Sequence, residues 1–238
     1  MGYVYVVGAG PGAPDLITVR GQRLLDAADV LIYAGSLVNP ALVASSPAAE
    51  KYDSWGMSLE ELVTVMAGAV AEGKTVVRLH SGDPSLYGAV VEQMAELEAR
   101  GIEVEVVPGV SSLFGAAAAL KTQLTLRGVS DSVILTRPAG ATLAKDQIAE
   151  FSRLGTTMVV FLGTEHLEAV VDRLECPPET PAAVVYHATW PDELVVRGTV
   201  ADIAPKARAA GIEKTALIVI GGVVDSTRSS FSRSHLYQ

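Results

Sequence analysis

The chain has 238 residues, 49% hydrophobic and 19% charged, with a formal net charge of −9. That is enough apolar material to bury one large domain or two small lobes, and it excludes a disordered chain. The acidic balance and the lack of a polybasic stretch argue against nucleic-acid binding and against docking on an anionic membrane, both of which need clustered Lys and Arg.

A β-branched and aromatic run at residues 3–7 reads as a buried strand, and no basic leader with a cleavage site precedes it. It ends in a glycine turn, after which Thr18 is placed to cap a helix over 18–28. Residues 29–34 (DVLIYA) form a second strand. Ser58 caps a helix to residue 71 whose Leu59, Leu62, Val63, Met66 and Val70 make one stripe. A strand at 75–79, a polar turn, a helix over 86–99, a strand at 104–107 and a small-residue helix complete the first half. The most apolar run, 110–120, is too short to span a bilayer.

The alternation then repeats. Strands are expected at 132–135, 158–162, 182–186 and 216–220, with a further one at 194–198 and its continuation. Helices are expected near 145–153, 166–173 and 203–210. Strands alternating with helices mean α/β layers with at least partly parallel sheets. Periodicity fails over 121–128, which divides the chain into lobes at 1–120 and 121–238. Cys176 is the single cysteine, so no intrachain disulfide or CxxC site can form, and a cytoplasmic compartment is favoured. His80, His166, His187 and His235 have no metal-ligand spacing, so no metal site is expected.

Three segments carry chemistry, each where a strand ends and a helix begins. Gly8-Ala9-Gly10-Pro11-Gly12-Ala13-Pro14 satisfies a loose G-x-G-x-x-A, as a dinucleotide site would. Pro11 and Pro14, however, remove N–H donors that would cradle a pyrophosphate, and the second strand ends in Tyr33-Ala34-Gly35 with no acid for a ribose. Arg78-Leu79-His80-Ser81-Gly82-Asp83-Pro84-Ser85-Leu86-Tyr87-Gly88 holds a glycine that lets backbone approach a ligand. Its aspartate can accept from a hydroxyl or an ammonium group, or simply cap the turn. In Pro108-Gly109-Val110-Ser111-Ser112-Leu113-Phe114-Gly115 the serines can cap the following helix or face a ligand. If the three strands are neighbours in one parallel sheet, the three turns converge.

GAGPGAPDLIT, YAGSLV, RLHSGDPSLYGA and VVPGVSSLFGAAAAL, in this order and spacing, resemble the tetrapyrrole (corrin/porphyrin) methyltransferases. Within that family YAGSLV, LHSGDPSLYGA and VILTR are most similar to the branch that methylates precorrin-4 at C11 in cobalamin biosynthesis. The resemblance covers essentially the whole chain. It implies two α/β lobes, a mostly parallel N-terminal sheet and a mixed C-terminal one, with S-adenosylmethionine in the cleft between them and S-adenosylhomocysteine as product. It places the cofactor against Pro11, Ser81, Gly82, Asp83, Leu86, Ser111 and Ser112, and against Leu162 and Ala188, where the family often has Met and Gly. It also implies a homodimer and assigns no catalytic side chain.

Methyl transfer from a sulfonium is an in-line displacement, and an enamine-like ring carbon is already nucleophilic, so a strong base is optional. Lys51, Lys121, Arg127 and Arg137 are candidates for the substrate carboxylates and read equally as solvated surface charges. The tail with Arg228, Arg233 and His235 resembles the family's terminal Ser-x-Leu-Tyr segment. Set against this reading are another regiospecific tetrapyrrole methyltransferase, a cobalt-containing substrate, and a non-catalytic adenosyl-ligand binding module.

Overall fold

The computed structural model describes residues 3–225, so the tail with Arg228, Arg233 and His235 lies outside the described residues. Within it the chain divides into two compact units, one ending at Phe114 and the other beginning at Gly115.

The first unit is built from β1 (Tyr3–Gly8), α1 (Val19–Asp26), β2 (Val30–Tyr33), α2 (Pro40–Ser45), β3 (Glu50–Asp53), α3 (Leu59–Ala71), β4 (Val76–His80), α4 (Val90–Glu98) and β5 (Glu103–Val107). The strands form one sheet in the order β3-β2-β4-β1-β5. Every pairing in it is parallel. Because side chains alternate along a strand, Val7, Leu31, Val77 and Leu79 pack with Leu25 of α1 and Leu42 of α2. Val4, Val30, Ile32 and Val76 pack on the opposite face with Leu62, Val63 and Met66 of α3 and Leu97 of α4. Burial on both faces is why these strands are continuous apolar runs rather than alternating ones.

Local chemistry sets the helix starts. Thr18 accepts from the Gly21 N–H at 3.1 Å and opens α1. Ser58 and Glu61 form a reciprocal capping box at the start of α3. Sequence periodicity does not reveal α2 and β3, since a six-residue helix and a four-residue strand with alternating exposure are too short to show a period. The helix expected from residue 86 begins only at Val90, because residues 81–89 are held in the central turn.

Helix α5 (Ser112–Leu120) leads into the second unit. There follow β6 (Val133–Thr136), α6 (Ile148–Ser152), β7 (Thr157–Val160), α7 (Leu167–Val171), β8 (Pro181–Tyr186), β9 (Leu194–Thr199), α8 (Ile203–Ala209) and β10 (Ala216–Ile220). The sheet order is β6-β7-β10-β8-β9. β6 and β7 are parallel, and the other three pairings are antiparallel. Met158, Val160, Ala182, Val184, Ile218 and Ile220 pack on one face against Ile148 of α6, Leu167 and Val170 of α7, and Ile203 and Ala207 of α8. A fully parallel first sheet and a mixed second one are the architecture the sequence implied. The contact division lies within α5, whereas loss of periodicity had placed the break after residue 120.

Among the described residues no helix is long and apolar enough to cross a membrane.

Candidate cofactor and substrate site

Strands β4, β1 and β5 are adjacent and parallel, so the three glycine and serine turns that follow them lie at one edge of the first sheet. The connection leaving β1 runs to β2 on one side, and the connection leaving β4 runs to β5 on the other. Such a reversal opens a crevice at the carboxyl ends of the two strands, the usual ligand position in an open parallel sheet.

Backbone bonds lock the turns together. Ala9 N–H donates to the His80 carbonyl at 2.7 Å, and Gly10 and Gly82 exchange N–H···O bonds of 3.3 and 2.9 Å. A Cβ on Gly8 would lie 2.5 Å from Gly109 Cα and 2.7 Å from the Gly82 oxygen, so only glycine allows the first and third turns to touch. Asp83 ties the second turn to the third. One carboxylate oxygen accepts the Gly109 N–H at 2.8 Å, and the other accepts the Ser85 N–H at 2.8 Å and the Ser85 hydroxyl. Burial alone would raise the Asp83 pKa, but the bonds from Ser85 and Gly109 outweigh it and hold the group below the ordinary carboxylate value. Asp83 is therefore a fixed anion. Asn39, in the loop after β2, donates to the Gly12 carbonyl at 2.9 Å and braces the first turn from the side.

Of the residues the resemblance placed on the cofactor, Pro11, Ser81, Gly82, Asp83, Leu86, Ser111 and Ser112 all fall in these converging turns. Ser111 is buried and its hydroxyl accepts the Leu113 N–H at 3.2 Å, so it opens α5. Gly82 leaves open the space before Ser111 and Ser112, since a Cβ there would lie 3.5 Å from the Ser112 nitrogen.

Leu162 and Ala188 lie in the second unit. Strands β7 and β8 both run antiparallel to β10, so they are parallel to each other and their carboxyl ends share an edge. Leu162 follows β7 and Ala188 follows β8. The backbone there is strained, with φ of 55° at Leu162, 45° at His187 and 70° at Thr189, a left-handed region that disfavours β-carbon-bearing residues. Leu162 is 62% exposed, while Ala188 is buried. His187 stacks between Tyr186 at 3.8 Å and Trp190 at 4.9 Å between ring centroids, and its Nδ1 lies 3.0 Å from Asp192. Nothing in the spacing of single residues signals this stack.

The candidate substrate cations are differently placed. Lys51 donates to the carbonyls of Val43 and Ser46 at 3.0 and 2.7 Å, and so closes the end of α2. Arg137 bonds Thr142 within its own loop. Lys121 follows α5 with a φ of 53°, and Arg127 sits in the aperiodic stretch beyond it. No acid ends β2 in sequence, yet Asp53 from the end of β3 reaches it. Its Oδ1 accepts the N–H groups of Gly35 and Trp55, both at 2.9 Å, and so ties the loops after β2 and β3 together. Among the described residues no His, Cys, Asp and Glu group could hold a metal ion.

A parallel sheet with glycine turns at its switch point, followed by a mixed sheet, defines a class, and residues 3–204 match the model of the Tetrapyrrole (Corrin/Porphyrin) Methylases. The chain belongs to that family. It is 51% identical over 97% of its length to a cobalt-precorrin-4 C(11)-methyltransferase of Methanocaldococcus jannaschii, covering 91% of that protein. It is 48% identical over 98% of its length to a precorrin-4 C(11)-methyltransferase of Mycobacterium tuberculosis, covering 95%. Among solved structures it resembles a cobalt precorrin-4 methyltransferase described as a cobalamin biosynthetic enzyme, with TM-score 0.90, 44% identity, and 94% and 96% of the two chains covered. It also resembles the uroporphyrin-III C-methyltransferase of Thermus thermophilus in complex with S-adenosylhomocysteine, with TM-score 0.81, 32% identity, and 94% and 99% covered.

Proposed function

We propose that the protein transfers a methyl group from S-adenosylmethionine to C11 of precorrin-4. The observation that carries this is the convergence of the three turns on one sheet edge, in a chain whose full-length relatives are C11-methyltransferases. A second reading takes cobalt-precorrin-4 as acceptor, and relatives of both kinds support it.

The donor set suits an adenosyl ligand. It offers glycine backbone for close approach, the Ser81, Ser111 and Ser112 positions for polar contacts, and the Asp83 anion to hold the turns. S-adenosylmethionine supplies an electrophilic methyl carbon on a sulfonium. Pro11, Ser81, Gly82, Asp83, Leu86, Ser111 and Ser112 would hold the cofactor, with Leu162 and Ala188 as the further binding positions. The chain's contribution is alignment, which in well-oriented reactions is worth roughly 7–11 kcal/mol of barrier. We further propose a cytoplasmic homodimer without nucleic-acid partners, in keeping with the net charge of −9.

The test is a methyl-transfer assay with precorrin-4 and cobalt-precorrin-4 in parallel, with product regiochemistry read by NMR. Transfer to C11 is expected; methylation at C17 or C20 overturns the assignment, and the preferred acceptor decides between the two substrates. Sedimentation at working concentration reads the dimer.

A further inference from the structure

Two large apolar side chains stand in water at the carboxyl edge of the first sheet. Leu37, in the loop after β2, is 45% exposed, and Trp55, in the loop after β3, is 77% exposed. An indole buries roughly 150–250 Å² when it finds a partner, and grouped apolar side chains left in water mark binding surfaces.

Both side chains are carried on fixed turns. The Met57 N–H donates to the Ser54 carbonyl at 3.2 Å and closes a tight turn with Trp55 and Gly56 at its centre, where Gly56 has a φ of 81°. The second position of such a turn accepts most residues, so the backbone does not demand an indole there. The Trp55 N–H is held by Asp53 Oδ1, and the Ser54 N–H and hydroxyl both donate to the Tyr33 carbonyl, at 2.8 and 3.0 Å, which pins the turn to the end of β2. Leu37 is presented alike, with its own N–H and that of Val38 on the Ala34 carbonyl at 3.0 and 3.1 Å.

These turns are bonded through to the candidate cofactor turns. Asp53 Oδ1 joins the loops after β2 and β3, and a Cβ on Gly35 would collide with the Asp53 carboxylate, so the two loops touch. Asn39 then ties the loop after β2 to Gly12 of the first glycine turn. β2 lies beside β4, which leads to Ser81, Gly82 and Asp83, and β3 is two strand spacings from β4, roughly 10 Å. The indole and the leucine therefore form a rigid, uncharged shelf at the same sheet edge as those turns.

We propose that Trp55, with Leu37 beside it, is the platform on which the tetrapyrrole macrocycle lies. The proposal rests on the methyltransferase reading. Four linked pyrrole-type rings make a broad and largely apolar surface. With one ring carbon at the methyl donor, the other rings extend across the neighbouring strands to the shelf, whose lack of charge suits the ring system and not its acid side chains.

The experiment uses the full chain as wild type, Trp55→Ala and Trp55→Phe, with precorrin-4 and cobalt-precorrin-4 as probes. Wild-type S-adenosylhomocysteine binding and methyl transfer are measured first, and failure there strikes the functional reading rather than Trp55. Trp55→Ala is expected to keep S-adenosylhomocysteine affinity within about twofold. The KM of the accepted tetrapyrrole, and its Kd in the complex with S-adenosylhomocysteine, should rise by on the order of 10-fold or more. Trp55→Phe, which keeps an aromatic face, recovers part of the loss. A folded Trp55→Ala within about twofold of wild type in both KM and Kd overturns the proposal. Sedimentation of the same variant separates the rival occupant: a smaller assembly than wild type gives the shelf to a second copy of the chain and overturns the proposal as well. Should Trp55→Ala fail to fold, the indole N–H resonance of Trp55 in the wild type, assigned against Trp55→Phe, replaces it. A shift on adding tetrapyrrole supports the platform, and no shift overturns it.

Discussion

Gly8 and Gly109 meet backbone to backbone, and this contact sets the tolerance of the site. A Cβ on Gly109 would lie 2.2 Å from the Gly82 oxygen and 2.7 Å from Gly8 Cα, with no flexible side chain to yield. Gly109→Ala is therefore expected to cost about 1–3 kcal/mol in urea unfolding and to abolish S-adenosylhomocysteine binding in calorimetry. Asp83 gives a pH signature. Its folded pKa lies below its unfolded value, so its contribution is complete above about pH 4 and is lost as the pH falls through the depressed folded value. Urea titrations from pH 7 to pH 3 should show wild type more stable than Asp83→Asn at neutral pH, with the gap closing in acid. At this scale the sequence marked the glycines and Asp83 but not Arg78. An arginine inside an apolar strand run is read as part of the strand, and that Arg78 is buried, with Nη1 on the Leu79 carbonyl, shows only in three dimensions.

Elements divide by whether their determinants are local. The capping box of α3 is written within four residues, Ser58 to Glu61, and Ser58→Ala should lower stability by about 1 kcal/mol without changing cofactor affinity. The loops after β7 and β8 are the opposite case. Left-handed φ at Leu162, His187 and Thr189 runs against local preference and persists only because the surrounding sheet imposes it. Leu162→Gly removes the strain and the exposed side chain together. Stability within about 1 kcal/mol of wild type, with weakened S-adenosylhomocysteine binding, is the expected result, and unchanged affinity would remove Leu162 from the site. The elements missing from the sequence reading, α2 and β3, are short and marked by proline and a polar alternation rather than by a period.

For the whole molecule the adenosyl ligand is the natural probe of native structure. S-adenosylhomocysteine at 100 times its Kd should raise the unfolding free energy by about 2.7 kcal/mol, whereas NAD at the same concentration should leave it unmoved. A shift of comparable size with NAD would restore the dinucleotide reading that Pro11 and Pro14 argue against.

The sequence by itself determined the alternation of strands and helices, the order of the turns and their family likeness, because periodicity, capping and glycine placement are local properties. The tertiary structure decided which turns meet. Only the strand order β4-β1-β5 brings residues 8–12, 81–83 and 109–112 to one edge, and only packing shows Lys51 closing a helix, Asp53 holding two loops and Arg78 buried with one hydrogen bond. Strand order is set by long-range burial on both faces of a sheet, and no window of adjacent residues contains that information.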